Sequence, residues 1–223
     1  MRFIMKNTFV AILAVVGVTG AMQIQAAPAA PLFAENFEKS VLEKVPEGML
    51  VLDGEFAVKA EGGNKFLELP GAPLETFGVL FGPSQSADVT VSARMHGTGK
   101  GRRFPVFGVG LNGVGGYRLQ VVPAKKALDL YKGEELKLSV PLAWESGKWT
   151  NLRLSIRSLN EGSFVIVGKA WQEGAAEPAA WGIRHTEAAA PIAGRASIWG
   201  NPFSGTAIRF DDLSITPADK TAK

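Results

Sequence analysis

The stretch from Trp149 to Trp171 constrains the fold more than any other. Leu152, Leu154 and Ile156 alternate with Asn151, Arg153, Ser155 and Arg157. That period of two suits an extended strand with one face in a core. A second β-rich arm, Phe164-Val-Ile-Val167, follows, and Asn160-Glu-Gly162 supplies the polar, glycine-containing turn of a hairpin. The pattern predicts a long antiparallel hairpin near the middle of a β-sandwich.

The rest of the chain reads the same way. Strands are expected over Leu32–Glu38, Met49–Lys59 (with Asp53-Gly54 a possible tight turn inside it), Phe66–Leu69, Thr76–Phe81 and Asp88–His96. Further strands are expected over Phe104–Leu111, Tyr117–Val122, Leu128–Tyr131, Leu136–Val140, Arg195–Trp199 and Ala207–Ile215. Glu61-Gly-Gly-Asn64 is hairpin chemistry, because Gly and Asn tolerate positive φ. Glu173–Trp181, rich in Ala and Gly, reads as a loop. About a dozen short strands without a long amphipathic helix mean an all-β sandwich or barrel. In the last strand Ile208 and Phe210 share one parity, Leu213 and Ile215 the other. A β-bulge at Asp211-Asp212 returns both pairs to the core and redirects a carboxylate.

The first residues carry a different signal. Arg2 and Lys6 precede the apolar run Phe9–Val18, and small residues at Ala26–Ala30 follow. This is the three-part layout of a cleaved secretory signal. The run is too short for a ~20-residue membrane span. The expected organisation is a signal peptide over 1–26, a linker over 27–31, one jelly-roll domain over 32–217 and a disordered tail over 218–223. Localisation is then periplasmic or extracellular, with no membrane span after signal cleavage. The chain has no cysteine, so core packing carries stability without disulfides. Without Arg2 and Lys6, the 24 basic residues fall to 22 against 21 acidic ones, a net charge of +1. The basic stripe of a nucleic-acid binder is missing.

Taken in order, several landmarks resemble the concanavalin A-like lectin/glucanase superfamily. Within it they look like the laminin G-like domains of secreted bacterial proteins, including the family labelled 3-keto-disaccharide hydrolase. They are Glu35-Asn-Phe-Glu38, Pro46-Glu-Gly48, Gly54-Glu-Phe-Ala-Val58, Tyr117–Val121 and Leu128-Asp-Leu-Tyr-Lys132. Trp149-Thr-Asn-Leu-Arg153, Lys169-Ala-Trp171, Glu177-Pro-Ala-Ala-Trp181, Gly194-Arg-Ala-Ser-Ile-Trp199 and Phe210-Asp-Asp-Leu213 complete the set. The resemblance implies a two-sheet antiparallel jelly-roll sandwich whose first and last strands pair, with ligand on a concave face or loop rim. It specifies fold better than activity.

No catalytic motif is evident. The Glu-x-Asp-x-x-Glu strand of retaining glucanases is absent, although carboxylates from separate strands remain open. Arg94, His96, Arg118 and Gln120 sit on the polar faces of their strands, where they form either a glycan-binding surface or a solvated sheet face. Trp149, at a strand start, reads as core. Trp199, in Trp199-Gly-Asn-Pro-Phe203, is the better candidate for an aromatic at the rim, since a ring face packs against sugar C–H groups. Glu35, Asn36, Asp211 and Asp212 would meet if the terminal strands pair. Such oxygen donors suit a structural Ca²⁺; otherwise backbone N–H groups and Arg209 would satisfy the acids. The sequence therefore points to a non-catalytic glycan binder, with a glycoside hydrolase or a protein–protein adhesion module as alternatives.

Overall fold

A computed structural model describes residues 30–159 and 162–219. The expected signal peptide, the linker up to residue 29, part of the central hairpin turn and residues 220–223 of the expected tail lie outside the described residues.

Among the described residues fifteen strands follow one another. They are β1 (Phe33–Glu35), β2 (Leu50–Asp53), β3 (Ala57–Glu61), β4 (Asn64–Leu69), β5 (Phe77–Gln85), β6 (Val89–His96), β7 (Val106–Leu111) and β8 (Tyr117–Val122). After a 3-10 turn at Pro123–Lys125 come β9 (Ala127–Lys132), β10 (Glu135–Pro141), β11 (Trp149–Ser158) and β12 (Phe164–Gln172). The last three are β13 (Ile183–Glu187), β14 (Gly194–Asn201) and β15 (Ile208–Pro217). They form two antiparallel sheets. One runs β13-β12-β11-β6-β15-β4-β3, with β1 also paired to β15; the other runs β10-β9-β8-β7-β14-β5-β2. This is an all-β, two-sheet jelly roll.

The core lies between the sheets. Val91, Met95, Leu152, Leu154 and Phe210 meet Val79, Phe81, Phe107, Leu119 and Ile198 there, all of them fully buried. Alternation fixes which side chains enter it, so Arg94, Asn151 and Arg153 must face outward.

The β11–β12 hairpin forms as expected, pairing Thr150 with Gln172 through Ser158 with Phe164. It sits toward one edge, however, and β6 holds the middle of its sheet. Asp53-Gly54 is more than a turn within one strand, because β2 and β3 join different sheets across it. Gly54 has φ of 101° there, and a Cβ on it would lie 2.9 Å from the Phe77 ring, so only glycine fits this crossing without displacing the ring. The pattern reading missed β13. Only Ile183 of its five residues is buried, and an edge strand needs no apolar alternation to pair.

The terminal strands do pair, Phe33 with Ile215 and Glu35 with Leu213. The pairing spans three residues and lies beyond the Asp211-Asp212 segment of β15. Phe37 lies past the end of β1 at φ 59°, fully buried; its N–H donates to Glu35 Oε1 at 2.6 Å. The predicted bulge is present. Pairing of β15 with β6 slips between Asp211 and Ser214, Asp212 adopts φ 50°, and Phe210 and Leu213 are both buried. Before the slip β15 pairs with β4, and after it with β1. The extra residue thus marks the place where one edge of β15 changes partner.

Candidate functional site

Cross-strand partners share a sheet face, and the pairings build the outward face of the eight-stranded sheet in rows. Trp171, Asn151, Arg94 and Asp211 form one; Lys169, Arg153, Ser92 and Ser214 form the next; Ser155, Thr90 and Thr216 follow. Trp149, Trp171 and Trp181 are all half-buried on this face or at its margin. Cations fix each ring. Arg94 lies 4.7 Å from the Trp149 centroid, Arg153 5.8 Å from Trp171 and Lys169 4.7 Å from Trp181, distances at which the ring quadrupole attracts positive charge.

Two hollows open beside Trp171 and Trp181, with Arg153 as their common wall. One, of about 200 Å³, is lined by Ser92, Arg94, Asn151, Arg153, Trp171 and Asp212. The other, of about 300 Å³, is lined by Thr90, Arg153, Ser155, Lys169, Glu177 and Trp181. The loop between β12 and β13 bounds the second hollow. Its Glu177 accepts from Arg153 Nη1 at 2.6 Å and lies 2.7 Å from Lys169 Nζ. Polar side chains, ring faces and concavity therefore coincide, the combination by which a protein orients a polyhydroxylated ligand.

The bulge supplies the acids beside this face. Asp211 is buried; its Oδ2 accepts from Arg94 at 2.6 Å and from Asn64 at 2.9 Å, and its Oδ1 accepts the Asp212 N–H at 2.7 Å. Asp212 points outward, with its Oδ2 3.0 Å from Arg94 Nε. Burial pushes the Asp212 carboxyl up from the ordinary range, Arg94 opposes that shift, and the neighbouring Asp211 adds to it. Burial is also the main cause drawing His96 down, aided by the charge of Arg209.

The four residues expected to hold a metal are brought close without forming a cation cage. Glu35, Asn36 and Asp212 line one open depression together with Lys39. Asp211 faces away from it, and both its oxygens are already taken by Arg94, Asn64 and the Asp212 amide. Among the described residues no group of three His, Cys, Asp or Glu could hold a metal ion. The donor set does not fit Ca²⁺, which takes six or more oxygens. The expected protein cation was also misassigned. Arg209 engages Glu61 and Glu68 and covers Phe66, and Arg94 is the residue that neutralises the bulge.

The five expected ligand residues divide between the sheets. Arg94 and His96 lie on β6, His96 with its ring 5.5 Å from that of Trp149. Arg118 and Gln120 lie on β8 and Trp199 on β14, in the opposite sheet. There Arg118 donates to Gln120 at 3.1 Å and sits 5.3 Å from the Trp199 centroid. Trp199 is a mid-strand residue only 9 % exposed, not an aromatic at the rim. Its ring lies over Gly78, where a Cβ would approach to 2.8 Å, and its Nε1 donates to Ser197 Oγ at 2.8 Å. Sequence reasoning took Trp149 for core and left Asn151, Arg153, Lys169 and Glu177 out of the site. For Asn151, Arg153 and Lys169, alternation with the core residues of β11 and β12 was the signal that could have found them.

No protein-family model and no curated protein matches the chain. Solved structures match its fold. The carbohydrate recognition domain of Emp46p, in a metal-free form, superposes with TM-score 0.55 at 11% identity over 84% of this chain and 97% of that one. The PL-14 alginate lyase from Aplysia kurodai gives 0.51 at 12% identity, covering 85% and 100%. The catalytic domain of a glycoside hydrolase family 131 protein from Coprinopsis cinerea gives 0.51 at 8% identity, covering 87% and 98%. At these identities the likeness shows the fold alone, a two-sheet jelly roll.

Proposed function

We propose that this is an exported, non-catalytic carbohydrate-binding protein and that the outward face of the eight-stranded sheet is its glycan face. One observation carries the reading: Trp171 and Trp181, both half-exposed, each line one of two polar hollows that share Arg153. Ring faces pack against pyranose C–H groups while the flanking Asn151, Ser92 and Arg153 are spaced to bond hydroxyls. The names of the fold neighbours, a carbohydrate recognition domain and carbohydrate-acting enzymes, support it by analogy only. Export rests on the charged, apolar and small-residue layout of residues 2–30. It predicts a mature N-terminus between Ala27 and Leu32, and an exported protein whose intact mass retains Met1 would refute it.

A glycan array run beside a hydrolysis screen tests the function. Retention of a glycan by the wild type, lost in Trp171→Ala and with no product released, is the expected result. Binding that survives Trp171→Ala and Trp181→Ala together would overturn the assignment of the face.

Hydrolysis of a glycoside, which the resemblance to the 3-keto-disaccharide hydrolases would imply, is a second reading. Asp212 favours it, as a carboxyl raised by burial, re-aimed by a bulge and lining the first hollow. Turnover abolished by Asp212→Asn with glycan retention intact would establish that reading in place of the first.

A further inference from the structure

The β12–β13 loop is held in an unusual way. Every residue from Glu173 to Ala180 is exposed, so no core burial anchors this Ala- and Gly-rich strap. Beyond its start, where the Glu173 N–H donates to the Trp149 carbonyl at 2.8 Å and the Ala175 N–H to the Gln172 carbonyl at 3.1 Å, it is fastened by charge. Glu177 Oε1 lies 2.6 Å from Arg153 Nη1 and 2.7 Å from Lys169 Nζ. Lys169 also donates to the Pro178 carbonyl at 2.7 Å. The Lys169 side chain is only 9% exposed beneath the strap. Two cations thus converge on one carboxylate oxygen between the faces of Trp171 and Trp181, beside the larger hollow.

We infer that Glu177 is an internal occupant of a carboxylate subsite, and that the glycan face takes acidic, uronate-bearing chains. The inference rests on the glycan-face reading above. A uronate carboxylate replaces Glu177 on the Arg153–Lys169 fork and frees the strap, which turns on Gly174 at φ 86°. The exchange substitutes one carboxylate for another, so neither cation is left unpaired. A neutral sugar that displaced Glu177 would strand both cations against ring faces, at the cost that unpaired, partly buried charge carries. The fork therefore rejects uncharged chains as well as attracting charged ones.

Calorimetric titration with tetragalacturonate and tetramannuronate, each against its full methyl ester and against a sulfated tetrasaccharide, tests this. Wild type is expected to bind a uronide in preference to its ester and to the sulfate. Glu177→Gln removes the internal competitor and is expected to tighten uronide binding roughly five- to tenfold, because the binding-competent fraction rises. Arg153→Gln should remove the preference, and Lys100→Ala, at a distant hairpin tip, should not. In the wild type, saturating uronide is expected to accelerate amide exchange over residues 174–181, and the ester is not.

Uronide binding that is unchanged or weaker in Glu177→Gln, or a strap whose exchange does not respond, would overturn the subsite. A preference for the sulfate would overturn the uronate assignment. Trp171-dependent binding of ester and acid alike would refute the subsite and leave the glycan face standing. Absence of any Trp171-dependent binding would refute both.

Discussion

Replacing Arg94 with Met tests whether an arginine, and not a metal, neutralises the bulge. Asp211 is 1% exposed and Arg94 25%. Without the guanidinium, the Asp211 carboxylate keeps only the Asn64 amide and the Asp212 N–H as partners. Removing one partner of a buried pair costs about 3–5 kcal/mol. The partial exposure of Arg94 places this case near the low end, at roughly 3 kcal/mol, including about 0.5–1 kcal/mol for its contact with Trp149. For a domain of this size each kcal/mol moves Tm by about 2–4 °C, so a fall of roughly 6–12 °C is expected. Urea unfolding followed by tryptophan emission measures it. Arg94→Met combined with Asp211→Asn should be less destabilised than the two single effects summed, by at least about 1 kcal/mol, because the charges are removed together. Melting with excess calcium and with chelator should coincide. A loss below about 0.5 kcal/mol, which is typical of surface substitutions, additive single effects, or a calcium-dependent rise in Tm would refute the reasoning.

The Asp212 carboxyl is raised, chiefly by burial and against the pull of Arg94, while more than half of its side chain meets solvent, so its charged form opposes folding only weakly. Its favourable contribution is complete below the ordinary carboxylate pKa and is lost as pH rises through the raised value. Asp212→Asn, which also suits φ 50°, should raise Tm at pH 7 and give less advantage at pH 4 by scanning fluorimetry; equal effects at both would contradict this. His96, drawn down by burial, stabilises the fold above about pH 6.5, where the unfolded chain is also neutral, and progressively less below it. His96→Gln should flatten that decline in urea titrations at pH 7.5 and 5.5. Gly78→Ala would press a Cβ to 2.8 Å from the Trp199 ring and should destabilise by about 1–3 kcal/mol, as overpacking does, with a shifted tryptophan emission maximum; an unchanged midpoint would show that the ring moves freely.

Much of the fold was legible because burial imposes periodicity. The buried set Val89, Val91, Ala93 and Met95 follows from alternation alone, and so does the bulge, because a parity flip in an otherwise regular strand has few structural solutions. The site was less legible. Alternation says that Arg94 and Arg118 both face outward, but not that a two-layer sandwich has two outward faces and sets one arginine on each. Trp149 starts a strand whether it packs inward or lies under an arginine. Glu177 sits in a segment with no periodicity, and only the folded loop carries it to Lys169.

The divided edge of β15 has a colloidal consequence. The three residues of β1 and the Leu32 N–H, which donates to the Ile215 carbonyl at 2.7 Å, cover the backbone of Leu213–Ile215 on this edge, and that segment alternates apolar side chains with Ser214. Stripped of β1, it becomes an open strand edge in the middle of a long sheet, able to template pairing with another chain. Loss of β1 by proteolysis or truncation should therefore appear first as self-association, before any loss of the core. While β1 is in place, the charge of Glu35 guards the outer edge that β1 itself presents, discouraging a second molecule from adding its own strand there.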